Sequence, residues 1–135
     1  MTLIIDASVA LKWVLDEPGA DAADALLGET LLAPALWLVE AASALQRRVL
    51  RGELSADEAR ARLEELRNAP VTALPVDDDL GAALALSAEL KRPVQDCLYL
   101  AAAIRENCQV ITADLRLHNA LADAPGHEGR VRLLT

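Results

Sequence analysis

The stretch Leu3-Ile4-Ile5-Asp6 opens the chain with a short aliphatic run that ends directly at a carboxylate. A short, uninterrupted aliphatic run is typical of a strand buried in a parallel sheet. A second such run, Gln109-Val110-Ile111-Thr112, has Asp114 two residues beyond it. Ligands bind at the carboxyl ends of the strands in parallel sheets, so these two runs indicate both a fold and the edge where a site would lie.

Helical patterns separate these runs from three further aliphatic segments. The further strands are predicted at residues 31–33, 73–76 and 131–134, and Pro75 places the second of them near an edge of the sheet. Helices are predicted over residues 9–15, 21–27, 37–50, from the capping box at 55–58, from about 77 to 90, and over 96–105 and 115–121. This alternation predicts a three-layer α/β/α fold with a central, mainly parallel five-stranded sheet, in a single domain over residues 1–135.

The composition of the 135 residues excludes several classes of protein. Hydrophobic residues make up 53% and charged residues 25%, which excludes intrinsic disorder. Phe is absent, so the core must be aliphatic, with Trp13, Trp37 and Tyr99 as the only aromatic residues. Cys97 and Cys108 are too few for a disulfide-rich scaffold or a four-cysteine zinc site. A net charge of -8 argues against non-specific binding to nucleic acid, but it allows an acidic site that metal ions bridge to phosphate.

The N-terminus shows no targeting signal. It has no basic segment, and Asp6 interrupts its apolar run, so we expect no signal peptide. The longest charge-free apolar stretch in the C-terminal half, residues 97–104, is too short to cross a bilayer. We therefore expect a cytoplasmic protein that does not associate with a membrane.

Four acidic residues stand in apolar surroundings: Asp6, Glu40, Asp96 and Asp114. If they converge at one sheet edge they repel each other, because two carboxylates ~4 Å apart repel by about 4 kcal/mol at an effective dielectric of 20. The chain offers few cations to offset this, since Lys12 and Lys91 are its only lysines and most arginines lie in exposed helical patterns. A divalent metal is the simplest counter-charge, and ligation by oxygen alone suits Mg²⁺ or Mn²⁺.

Each aspartate alone also has a purely structural interpretation. Asp6, Asp96 and Asp114 can each cap the helix that follows. Glu40 resists this interpretation, because it lies inside a predicted helix with apolar residues on both sides. Taken together in a parallel α/β chain, the four residues favour a site.

Other polar residues near these carboxylates have two possible roles. Ser8 and Thr112 can orient a carboxylate or a water by hydrogen bonding, or they can satisfy local backbone groups. Lys12 and Arg116 can touch a phosphate, but we interpret both as solvated helix residues. The two histidines have no ligand spacing and are interpreted as surface residues.

The four carboxylates lie in four short motifs: Leu-Ile-Ile-Asp6-Ala-Ser8, Leu-Val-Glu40-Ala-Ala-Ser, Gln-Asp96-Cys-Leu-Tyr-Leu and Val-Ile-Thr112-Ala-Asp114. In order and spacing these motifs resemble those of PIN domains. Among PIN domains they most resemble the VapC group, the toxins of type II toxin–antitoxin pairs. Each motif is short, but the ordered set covers nearly the whole chain. One departure is the Gln95-Asp96-Cys97 segment, where many relatives have an aromatic residue before the aspartate and alanine after it.

The resemblance implies a metal-dependent endoribonuclease of the PIN fold. The family's catalytic, metal-binding carboxylates map onto Asp6, Glu40, Asp96 and Asp114, and its small hydroxyl positions map onto Ser8 and Thr112. The implied reaction is hydrolysis of RNA phosphodiester bonds by a water that Mg²⁺, or alternatively Mn²⁺, activates. The resemblance further implies a homodimer and a cognate antitoxin that reaches into the acidic site.

Two other functions remain open from the residues. The first is a PIN-like binding module whose acidic pocket receives an arginine from a partner without catalysis. The second is a phospho-acceptor receiver domain, which is also parallel α/β with clustered aspartates. That fold needs a lysine at a late strand end, and none occurs after Lys91. Mg²⁺-dependent cleavage of RNA separates a nuclease from both.

Overall fold

The computed structural model describes residues 1–135 and has at its centre a sheet of five strands. The strands are β1 (Thr2–Ile5), β2 (Thr30–Pro34), β3 (Val71–Leu74), β4 (Gln109–Thr112) and β5 (Val131–Leu133). They lie in the order β3-β2-β1-β4-β5, and every neighbouring pair is parallel. The predicted fold is confirmed, and the sheet is wholly parallel. The third strand does lie at an edge, but it spans Val71–Leu74 and not residues 73–76, so Pro75, on which the edge prediction rested, lies just beyond the strand.

Seven α-helices connect the strands: α1 (Ala7–Ala10), α2 (Ala20–Asp24), α3 (Trp37–Leu50), α4 (Ala56–Arg67), α5 (Leu80–Leu90), α6 (Val94–Glu106) and α7 (Leu115–Leu121). Three predicted helices contain shorter α-helical segments than expected, because tighter 3-10 turns occupy Leu11–Trp13, Ala25–Gly28 and Asp77–Asp79. Such turns are common where a helix begins or ends, and the second of them ends at Gly28. None of the helices has the length and apolar composition needed for a membrane crossing.

The helices form one layer on each face of the sheet. Successive strand residues point to opposite faces, so Leu3 and Ile5 pack against α1, α3 and α4, whereas Ile4 packs against α6 and α7. The core that contains Ile4 is rich in alanine along α6, and these small side chains allow the helix to lie close to the sheet. Two aliphatic cores of similar size therefore hold the sheet between the helical layers.

The order of the strands reverses between β1 and β4. From β1 the chain crosses to β2 on one side, whereas β4 continues to β5 on the other. Ile5 pairs with Ile111 at the end of this ladder, which sets Asp6 beside Thr112. The carboxyl ends of strands at such a reversal border a crevice, and this is where ligands bind in open α/β sheets.

Candidate acidic active site

A cleft of about 360 Å³ opens at this reversal point, and all four predicted carboxylates line it: Asp6, Glu40, Asp96 and Asp114. Each comes from a different element. Asp6 follows β1, Glu40 and Asp96 lie in the first turns of α3 and α6, and Asp114 begins α7. Residues more than a hundred positions apart thus share one cavity, as the sheet topology predicted.

Asp6 is the most buried of the four carboxylates, with 6% of the residue exposed. The Ser8 hydroxyl donates to its Oδ1 at 2.6 Å, and the Thr112 hydroxyl donates to its Oδ2 at 2.7 Å. The backbone N–H of Val9 also donates to Oδ1, at 3.4 Å, so Asp6 caps α1 as well as facing the cleft. Burial raises the pKa of Asp6 above its usual value, although these hydrogen bonds oppose the shift, and the charge of Asp114 adds to it.

The two predicted hydroxyl residues connect the ends of β1 and β4. Thr112 is fully buried; its hydroxyl donates to Asp6 and accepts the backbone N–H of Asp114 at 3.0 Å. Ser8 accepts the backbone N–H of Ala113 at 2.9 Å, and its hydroxyl lies 3.3 Å from that of Thr112. These bonds hold the carboxylate of Asp6 and the backbone of Asp114 in one fixed arrangement.

Glu40 is half-buried and accepts a hydrogen bond from the hydroxyl of Tyr99. It lies in the first turn of α3, not deep inside the helix as expected, and the helix dipole favours a carboxylate there. Burial is the main cause that raises the pKa of Glu40; the Tyr99 hydrogen bond lowers it, and the charges of Asp6 and Asp96 raise it further. The negative charge in the cleft is therefore only partly compensated.

Tyr99 is a residue of the site that was not predicted from the sequence. Burial and the neighbouring Glu40 carboxylate raise the pKa of its hydroxyl, which stays protonated and able to donate. The spacing could have revealed it, because Tyr99 follows Asp96 by three residues on α6 and residues at this spacing share a helix face.

Asp96 and Asp114 share the guanidinium of Arg116. Arg116 Nη1 lies 3.2 Å from Asp96 Oδ2, and Nη2 lies 3.6 Å from Asp114 Oδ2. The interpretation of Arg116 as a merely solvated residue was therefore wrong, although its side chain is 67% exposed. Asp114 does cap α7, through the backbone N–H of Arg116, whereas Asp96 makes no capping bond, so that alternative is wrong for Asp96.

The side chains fit a divalent cation in chemistry but do not form a ready-made metal site. No three His, Cys, Asp or Glu side chains are grouped as ligands of one ion. The donors available in the cleft are carboxylate oxygens, the set that Mg²⁺ and Mn²⁺ prefer. Asp96 and Asp114 would have to exchange Arg116 for the ion, and the raised pKa values of Asp6 and Glu40 indicate that added positive charge would be stabilised.

The sequence matches the family profile of the PIN domain over residues 3–122. It is 35% identical over 115 residues to the VapC ribonuclease Mb0985 of Mycobacterium bovis, which covers 85% of this chain and 87% of that protein. It is 32% identical over 133 residues to ribonuclease VapC12 of Mycobacterium tuberculosis, which covers 98% of both chains.

Solved structures share the fold at lower sequence identity. PAE2754 from Pyrobaculum aerophilum superimposes with a TM-score of 0.70 at 20% identity, over 89% of this chain and 79% of that chain. VapBC2 from Rickettsia felis, bound to a DNA fragment from its promoter, superimposes with a TM-score of 0.69 at 12% identity over all of both chains. The predicted family and the predicted enzyme class, a ribonuclease, are confirmed: the chain belongs to the PIN-domain family, in its VapC group.

Proposed function

We propose that the protein is a Mg²⁺-dependent endoribonuclease that cleaves RNA at the acidic cleft and serves as the toxin of a type II toxin–antitoxin pair. The observation that carries this proposal is the convergence of Asp6, Glu40, Asp96 and Asp114 on one cleft at the reversal point of the sheet. The names of its relatives, VapC ribonucleases, support the reaction.

In this proposal the four carboxylates hold Mg²⁺, with Mn²⁺ as an alternative. When bound, the ion would supply an activated water and stabilise the charge that develops on the phosphoryl oxygens. Ser8 and Thr112 position Asp6, since each donates to a different carboxylate oxygen and so fixes the plane of the group. Tyr99 positions Glu40 in the same way through a single hydrogen bond. Arg116 would leave Asp96 and Asp114 when the ion binds.

An antitoxin and a second copy of the chain are the proposed partners. Arg116 supports the antitoxin as a partner, because its guanidinium already lies between two carboxylates of the cleft. An arginine of an antitoxin would find the same planar, paired geometry there. The same observation favours the second candidate function, a binding module that receives a partner arginine without catalysis, so a measurement of turnover is needed.

We expect the purified protein to cut total bacterial RNA at discrete sites in the presence of about 5 mM Mg²⁺, and we expect EDTA to abolish the cleavage, because the proposed reaction needs the ion to lower the pKa of the attacking water. Sequencing of the new RNA ends measures the result. Re-addition of Mg²⁺ or Mn²⁺ after EDTA should restore the same ends, which separates this activity from a contaminating metal-independent ribonuclease. Cleavage that persists in EDTA, or no cleavage with Mg²⁺, would contradict the proposal; the second outcome favours the binding module.

A further inference from the structure

The cleft has a basic end as well as an acidic end. Lys12, Arg47 and Arg48 line it together with the carboxylates. These residues come from the segment after α1 and from the last turn of α3. A chain with a net charge of -8 therefore concentrates positive charge next to its acidic centre.

One carboxylate neutralises part of this basic end. Glu17 lies 3.4 Å from Lys12 Nζ and forms an ion pair with Arg48. Lys12 also donates to the backbone carbonyl of Pro18 at 2.6 Å, which fixes its direction. Arg48 also lies 3.4 Å from a carboxylate oxygen of Glu53, so Lys12 and Arg48 are both held by the protein itself and share Glu17 as a counter-charge.

Arg47 differs from its neighbours because it is exposed and forms neither an ion pair nor a side-chain hydrogen bond. It lies seven residues after Glu40 on α3. Seven residues make almost two helical turns, so the two side chains share one helix face and are separated by roughly 10 Å along the axis. An extended ligand with regularly spaced anionic groups could therefore contact the centre at Glu40 and the guanidinium of Arg47 at the same time.

We infer that Arg47, together with Lys12 and Arg48, forms a phosphate-binding subsite for the RNA strand beside the scissile phosphate. This inference rests on the proposed ribonuclease function. Arg47 contacts a flanking phosphate of the bound strand, and Glu17 moderates the subsite by neutralising part of its charge. The attraction is local, which is how a chain of this net charge can still bind a polyanion.

The alternative to this role is a structural one, since a cation in the last turn of a helix interacts favourably with the helix dipole. Such a role would change the stability of α3 and leave RNA affinity unchanged. The two roles therefore predict different measurements.

The test uses a fluorescein-labelled 12-mer of oligouridylate, titrated in EDTA so that no cleavage occurs, starting at about 20 mM KCl where electrostatic binding is strongest. Arg47→Gln should weaken binding on the order of fivefold and make the slope of log affinity against log salt shallower by about 0.7, the loss of one phosphate contact to a single strand. Arg60→Gln is the matched control, because Arg60 is also exposed, helical and without an ion pair, but lies outside the cleft. It should leave both quantities unchanged.

Glu17→Gln tests the subsite by a change that should strengthen RNA binding and not weaken it. Removal of this carboxylate takes away the acidic partner of Lys12 and one of the two acidic partners of Arg48, which keeps Glu53, so we expect severalfold tighter binding and a steeper salt slope. With Mg²⁺ and a cleaved RNA, Arg47→Gln should raise KM and leave kcat near the parent value, since it removes binding that the ground and transition states share.

The inference would be overturned if Arg47→Gln and Arg60→Gln altered affinity and salt slope equally, if Glu17→Gln weakened binding, or if the parent showed no saturable binding at low salt. Failure of the ribonuclease proposal looks different: the parent binds the oligomer with the expected response to these substitutions but cleaves no RNA with Mg²⁺. A change confined to the melting temperature would assign Arg47 to the helix dipole.

Discussion

Asp6→Asn is expected to lower the rate of RNA cleavage on the order of 10²–10³-fold while the fold is retained, because a metal centre contributes several kcal/mol to the transition state. The amide keeps the size of the side chain but removes the charge of the most buried carboxylate. The Ser8 hydroxyl can still donate to the amide oxygen, and the Thr112 hydroxyl can rotate to accept from the amide nitrogen. Single-turnover cleavage kinetics at saturating Mg²⁺ measure the effect.

The same variant should be more stable than the parent in EDTA. Burial raises the pKa of Asp6, so the ionised carboxyl destabilises the folded state, and the parent loses stability as pH rises through the folded-state pKa. The advantage of Asp6→Asn should therefore appear at neutral pH and disappear at a pH below the unfolded-state pKa, where Asp6 is protonated in both states. Excess Mg²⁺ should stabilise the parent more than the variant. Thermal melts measure each difference.

Asp123→Asn is the matched control, because Asp123 is exposed and lies outside the cleft. It should change neither cleavage nor stability measurably. Cleavage by Asp6→Asn at the parental rate would remove Asp6 from the site. A lower melting temperature in EDTA would show that its hydrogen bonds outweigh the cost of its burial.

Tyr99→Ala is expected to reduce the free energy of unfolding by about 3–5 kcal/mol, since it removes a buried aromatic ring and leaves a cavity. Tyr99 is 1% exposed and packs in the core between α6 and the sheet. Such a loss is a large fraction of the 5–15 kcal/mol that is typical of a domain. Urea denaturation of the parent and the variant measures it.

Tyr99→Phe separates the hydroxyl from the ring. It keeps the packing and removes only the bond to Glu40, so we expect a loss of about 1–2 kcal/mol in stability. Cleavage should slow about tenfold, because Glu40 loses the group that orients it. If Tyr99→Phe cleaved RNA as fast as the parent, Tyr99 would be a core residue without a positioning role.

Much of the fold could be predicted because its signals are local. The aliphatic run before Asp6 and the run before Asp114 each have the length and composition of a buried strand, and both are strands in the structure. The helix over Trp37–Leu50 has clear boundaries and was predicted with these limits. The 3-10 turns were not predicted, because three or four residues are too few for their sequence to distinguish a 3-10 turn from a turn of α-helix.

The residues that line the cleft could be predicted better than the contacts that their side chains make. Parallel topology alone brings Asp6 and Asp114 to one edge, and their places after two strands are visible in the sequence. Arg116 was missed because its role depends on which way a long side chain turns, and tertiary packing decides that. Tyr99 was missed although its helical spacing from Asp96 could have indicated it. His127 was interpreted as a surface residue but is half-buried, and its Nδ1 has no hydrogen-bond partner.

We propose that carboxylates distant in sequence bind one divalent cation together, and a calorimetric titration of the RNA-free protein with Mn²⁺ tests this most directly. We expect saturable binding by the parent and by Asp123→Asn, and binding at least about tenfold weaker for Asp96→Asn, which loses one charged ligand. If the parent showed no saturable binding, or if Asp96→Asn gave the parental isotherm, the acidic cleft would not be a metal site.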